Sequence, residues 1–114
     1  MNLMIGPKAV IHLDRLIKNY DLIRKKLRRS HLMVVVKANA YGHGSVECAK
    51  ALEKHGCKSF AVFSISEGIE LRDAGINADI LIFSKINISH LELAIKHNLI
   101  LNVSNLRDLD TLKM

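Results

Sequence analysis

Cysteine, proline and aromatic residues are all scarce in this chain of 114 residues, which carries two Cys, one Pro, three Phe, two Tyr and no Trp. Cys48 and Cys57 lack the C-x-x-C spacing of a zinc ribbon or redox dithiol, so two reduced, packed thiols are expected. The six His residues are scattered without H-x-x-x-H spacing, and no metal centre is expected from them. Aromatic content of 4% leaves little to stack on nucleic-acid bases. The net charge of +6 is densest from Arg24 to Arg29. That run closes a predicted helix, where cations favour the negative end of the dipole, so nucleic acid is not an expected partner.

Long apolar runs are also missing: no stretch approaches the roughly 20 apolar residues of a membrane span. Met1 to Pro7 shows no basic start followed by an apolar core. The expectation is a soluble cytoplasmic protein that engages no membrane. The sequons Asn87-Ile88-Ser89 and Asn102-Val103-Ser104 fall where helix caps are expected and carry no weight as glycosylation sites. No linker or low-complexity tract interrupts the chain and no proline follows Pro7, so residues 1–114 read as one domain.

What the chain does contain is 49% hydrophobic residues in a regular alternation of strand and helix signals. Val10 to Leu13 reads as a short strand. Asp14 reads as the N-cap of a helix to about Arg29, with Leu16, Ile17, Tyr20, Ile23 and Leu27 on one buried stripe. Leu32 to Val36 is the next strand, followed by a glycine-containing turn from Ala38 to Gly44 and a helix closed by Gly56. Ser59 to Phe63 and Asp79 to Phe83 are further strands, and Leu99 to Val103 a fourth. Ser64 with Glu67 has the spacing of a capping box, opening a helix that ends at Ala74-Gly75. Ser89-His90-Leu91-Glu92 repeats that signature before a helix stopping at Asn98, and Ser104 or Asn105 caps a last helix through Leu106, Leu109 and Leu112. Strands apolar at consecutive positions are expected to be covered on both faces, as in parallel sheets. Four βα units fit either a small doubly wound sheet or half of a (β/α)8 barrel.

The most informative segment is Val34-Val35-Val36-Lys37-Ala38-Asn39-Ala40-Tyr41-Gly42-His43-Gly44. Lys37 directly follows an apolar strand and so stands at its carboxyl end, the side where parallel α/β folds keep their active sites. Burial there disfavours an ammonium ion, so such a lysine can act as an amine nucleophile toward a carbonyl. Gly42 and Gly44 allow the following loop to turn tightly.

The whole run resembles the cofactor-attachment motif of the alanine racemase family. The resemblance continues in Ala9 to Asp14 with Asn19, in Phe60-Ala61-Val62, in Glu67, in Glu70 to Ile76 and in Ala78 to Ile82. It implies an α/β fold, the N-terminal portion of a TIM-type (β/α)8 barrel, with the later half of the barrel and a C-terminal β domain absent from these residues. It also implies pyridoxal 5'-phosphate as cofactor, held by Lys37 as a Schiff base, with the Tyr41 hydroxyl reaching its phosphate. Phe83 stands where the family has an aliphatic residue beside the cofactor. His43 is expected to support the loop. The implied reaction is interconversion of L- and D-alanine in a homodimer, supplying D-alanine for peptidoglycan. The opposing base and most of the phosphate cup belong to later parts of the family's chain, so little activity is expected of these residues alone. The alternatives are a non-catalytic cofactor-binding or assembly remnant, and a racemase for another amino acid.

Overall fold

The computed structural model describes residues 6–113. Met1 to Ile5, considered above for a leader, and Met114 lie outside the described residues. Four strands form one parallel sheet in the order β1-β2-β3-β4: Val34–Val35, Ser59–Val62, Asp79–Lys85 and Ile100–Asn102. A helix or helical turn follows each strand, giving successive βα units.

The expected strand at Val10 to Leu13 does not form; this segment runs into α1 (Leu13–Leu27) without pairing. The cleft between this segment and Val34–Val36 keeps it off the free edge of β1. Asp14 lies in the first turn of α1 while His12 is the N-cap, so Asp14 acts on the helix dipole instead of capping it. Arg24, Lys25 and Lys26 close the last turn, where the opposite pole favours them. Of the expected stripe, Leu16, Ile17 and Tyr20 pack inward, whereas Ile23 is half exposed. The helix lies at the β1 end of the sheet and has α3 (Ser45–Lys54) as its main neighbour, so its other flank is uncovered.

Register explains where the core sits. Val34, Phe60 and Ile80 are aligned across three strands, as are Val35, Ala61 and Leu81. Side chains alternate along a strand, so the first set, continued by Val62 and Ile82, faces the helices. Phe60, Val62, Ile80 and Ile82 are fully buried there with Leu52 of α3 and Leu71 of α4 (Ile65–Asp73). The opposite face is open: Val35 and Phe83 remain exposed. The expectation of cover on both faces is therefore met on one face only, because the second would be lined by strands closing a barrel.

Close approach of α4 to the sheet depends on Gly68, where an added Cβ would meet the Ile82 Cδ1 at 2.9 Å and Leu99 at 3.2 Å. The capping box at the start of α4 forms as read: the Ser64 hydroxyl accepts from the Glu67 N–H and the Glu67 carboxylate accepts from the Ser64 N–H. The second capping signature is different. Asn87, not Ser89, caps a 3-10 turn at Ile88–His90, accepting from both the N–H and the hydroxyl of Ser89. The helix α5 (Leu91–Lys96) then continues from that turn without a side-chain cap of its own. Asn105 caps α6 (Leu106–Leu112), and Asp108 returns a bond to the Ser104 N–H. Both cysteines are free and buried, and burial pushes both thiols up from their ordinary pKa.

Candidate functional site

The site is built on the turn after β1. Val36 ends the strand, donating its N–H to the Ala61 carbonyl at 2.9 Å while its side chain joins the core. Its ψ of 23° departs from extended geometry, and the chain winds into α2 (Lys37–Tyr41). This single turn is left-handed: Ala38, Asn39, Ala40 and Tyr41 have φ of 51°, 54°, 53° and 53°. Left-handed helix costs about 1–2 kcal/mol per L-residue, Asn being the most tolerant of these. Four consecutive residues persist only if the surroundings over-determine them.

Several bonds do so. Within the turn the Ala40 N–H reaches the Val36 carbonyl at 3.0 Å, and the Gly42 and Gly44 N–H groups both reach the Asn39 carbonyl. The Asn39 side-chain oxygen accepts from the Ser45 N–H at 2.9 Å, tying the turn to the start of α3. The His43 Nδ1 donates to the Ala40 carbonyl at 2.8 Å, the loop-supporting role expected for it. Gly42 and Gly44, with φ of 89° and 92°, complete the reversal.

The strongest tie comes from another element. Glu67, in the first turn of α4, accepts from the Ala38 N–H with Oε2 at 2.7 Å. Its Oε1 accepts from the Phe63 N–H at 3.0 Å, the Ser64 N–H at 2.9 Å and the Ser64 hydroxyl at 3.2 Å. Burial alone would raise the pKa of this carboxyl, but the bonds from Ser64, Ala38 and Phe63 together hold it below the ordinary carboxylate range. Sequence reading assigned Glu67 to the capping box and missed its second oxygen. A folded-state pKa below the unfolded one means that this stability is fully present above the unfolded value and is lost as pH falls through the folded one. Wild-type protein should therefore lose more stability than Glu67→Gln on acidification below about pH 4. Urea midpoints at pH 6 and pH 3 check this; equal losses in both proteins would refute it.

Lys37 is half buried at the carboxyl end of β1. The register of β1 with β2 ends at Val35↔Ala61, and Lys37 follows two residues on, on the side of the sheet where Phe63 and Phe83 lie past the same register line of β2 and β3. Phe83, two residues beyond Leu81, stands on the open face, and its carbonyl accepts from the Asn102 side chain at 3.0 Å. Tyr41 is 70% exposed at the end of the left-handed turn. It borders a cleft of about 400 Å³ beside the free edge of β1, lined also by Ile11, Arg15, Asn19 and Val35. Lys37 and Phe83 thus share the strand ends, while Tyr41 lies to the outer side of β1.

A parallel βα sheet with one open face and a half-buried lysine at the carboxyl end of its first strand is the N-terminal part of a TIM-type barrel. A sequence model described as alanine racemase, N-terminal domain, matches residues 11–114. The chain belongs to the alanine racemase N-terminal domain family. It is 50% identical over 92 residues to an alanine racemase of Xylella fastidiosa, covering 80% of this chain and 25% of that protein. An alanine racemase structure from Clostridium difficile 630 superposes with a TM-score of 0.82 at 38% identity, covering 89% of this chain and 27% of that one. A histidine racemase from Leuconostoc mesenteroides gives a TM-score of 0.79 at 25% identity, covering 87% and 27%. The chain spans about a quarter of the length of the curated relatives it matches.

Proposed function

We propose that residues 1–114 form the partial N-terminal barrel domain of a pyridoxal-phosphate-dependent racemase acting on alanine, with Lys37 as the attachment residue. The observation carrying this reading is family membership over residues 11–114 combined with a half-buried lysine at the carboxyl end of β1. The cofactor suits the residues present: Lys37 supplies a primary amine just after β1, and Val35 and Phe83 leave apolar surface exposed on the open face of the sheet. When bound, pyridoxal phosphate supplies an aldehyde for the amine and an electron-withdrawing ring that acidifies the substrate Cα–H. Lys37 then has two tasks, holding the cofactor covalently at rest and moving a proton at one face of the substrate Cα once its amine is released. Tyr41 would donate its hydroxyl to the phosphate, and Phe83 would shield one edge of the ring.

Racemisation needs a second proton-transfer group on the opposite face. Tyr20 is buried with its ring edge-on to His55, and Tyr41 is assigned here to the phosphate, so neither described tyrosine supplies it. The proposal therefore includes little turnover by this chain alone, with the completed active site cytoplasmic, homodimeric and producing D-alanine for peptidoglycan. A second reading, a non-catalytic assembly piece, is favoured by the exposed apolar residues at both sheet edges, Val35 beside Ile11 and Ile100 beside Val103. Full racemase activity with L-alanine would reject it, and parallel assays with L-histidine would separate the two substrate classes that the similar structures carry in their names.

The test of the lysine is spectroscopic. Wild-type chain with pyridoxal phosphate should develop the visible absorbance of lysine-bound cofactor, and borohydride should bleach it while leaving the cofactor as a permanent label on Lys37. Lys37→Ala should lose both. Absorbance and label that persist in Lys37→Ala would end the assignment.

A further inference from the structure

We infer that Glu67 is a positioning residue for Lys37, its two carboxylate oxygens coupling the start of α4 to the peptide that follows the lysine. This deepens the proposed function and rests on Lys37 being the attachment residue. The Ala38 N–H belongs to the peptide plane joining Lys37 and Ala38, so its direction reports the ψ angle of Lys37. Glu67 Oε2 fixes that direction at 2.7 Å, across 29 residues of sequence. Ala38 is also the first left-handed residue, with φ of 51°, so the bond sits where the strand gives way to the strained turn. Lys37 is held from the strand side by the Val36 N–H on the Ala61 carbonyl and from the turn side by Glu67.

Capping alone does not require this arrangement. A capping box is complete with one side-chain oxygen at the third helical position, and Gln serves as well as Glu. In this chain Oε1 alone receives the three capping donors, from Phe63 and Ser64. The second oxygen is therefore available to the lysine turn. A charged acceptor also makes a stronger bond than a neutral one, which suits an amide lying near solvent.

The two oxygens can be separated experimentally. In Glu67→Gln the single amide oxygen satisfies the capping donors, and the NH2 group is left facing the Ala38 N–H, donor against donor. In Ser64→Ala the cap hydroxyl is lost while the carboxylate still reaches Ala38. Amide hydrogen exchange is read for Ala38 and for residue 67, whose N–H donates to the Ser64 hydroxyl, in each protein, together with the fraction of lysine-bound cofactor at fixed pyridoxal phosphate.

Glu67→Gln should raise Ala38 exchange by about tenfold with the residue 67 amide little changed, and Ser64→Ala should do the reverse. Glu67→Gln should also lower lysine-bound cofactor about fivefold relative to Ser64→Ala. Ala38 exchange within about twofold of wild type in Glu67→Gln, or a cofactor fraction equal in the two variants, would overturn the inference. Wild type without any cofactor on Lys37 would sink the proposed function and the positioning role that rests on it. The exchange data would then still report whether Glu67 holds the Ala38 amide.

Discussion

Arg72→Ala is expected to lower stability by about 3 kcal/mol or more, a large loss for a residue that is not in the apolar core. Its guanidinium gathers four backbone carbonyls from two separate loops. Nε donates to the His97 carbonyl at 2.8 Å and one terminal nitrogen to Asn98 at 2.9 Å, both after α5. The other terminal nitrogen donates to Ile76 at 2.8 Å and Ala78 at 2.7 Å, on the approach to β3. These carbonyls lie at helix C-termini and loops, where no N–H groups of the ladder remain to serve them. Truncation leaves all four to be satisfied by water that must enter a half-buried joint. Arg72→Lys keeps the charge but replaces a planar fork with a single point donor that cannot span both loops. It should recover less than about half of the loss. Urea unfolding reads the result as a shift in midpoint at unchanged slope. A lysine variant as stable as wild type would show that charge near the helix ends, not the fork, is what matters.

Arg72 also marks the boundary of what sequence reading can reach. Its partners lie up to 26 residues away and are backbone atoms, which leave no trace in residue types. The Glu67 tie to Ala38 is hidden for the same reason. Local signals were legible wherever one residue's chemistry decides the local backbone. Ser64 and Glu67 form the box they spell, and Gly42, Gly56 and Gly75 adopt the positive φ expected of turn and helix-end glycines. The consecutive apolar strands gave the parallel sheet and placed Lys37 at its carboxyl end. The left-handed turn was not legible, because Ala38, Ala40 and Tyr41 have no preference for that region and are held there by contacts from outside the segment. Asn87 displaced Ser89 as a cap because its side-chain oxygen accepts from both the N–H and the hydroxyl of Ser89, which ties up the hydroxyl expected to cap. Pairing of Lys85 with Asn102 extended β3 past its apolar run, so strand end and cap are nearly contiguous.

Phe60→Ala is expected to lower stability by about 3–5 kcal/mol, whereas Phe83→Ala should cost less than about 1 kcal/mol, although both remove a phenyl ring from the same sheet. The difference follows from the alternation of faces. Phe60 lies in the interior strand β2, is fully buried, and joins the cluster of Tyr20, Leu52, Leu71 and Ile80. Removing it opens a cavity between sheet and helices that a close-packed interior cannot fully collapse around. Phe83 stands on the opposite face and is 37% exposed, so its ring already contacts water and leaves no enclosed void. Comparable losses for the two variants in urea unfolding would mean that the open face is packed in solution, contrary to the arrangement described. A small loss in Phe83→Ala together with reduced cofactor binding would separate the two faces by task. The helix-side face would then hold the fold, while the open face would stay available to a ligand and to the strands that complete a barrel.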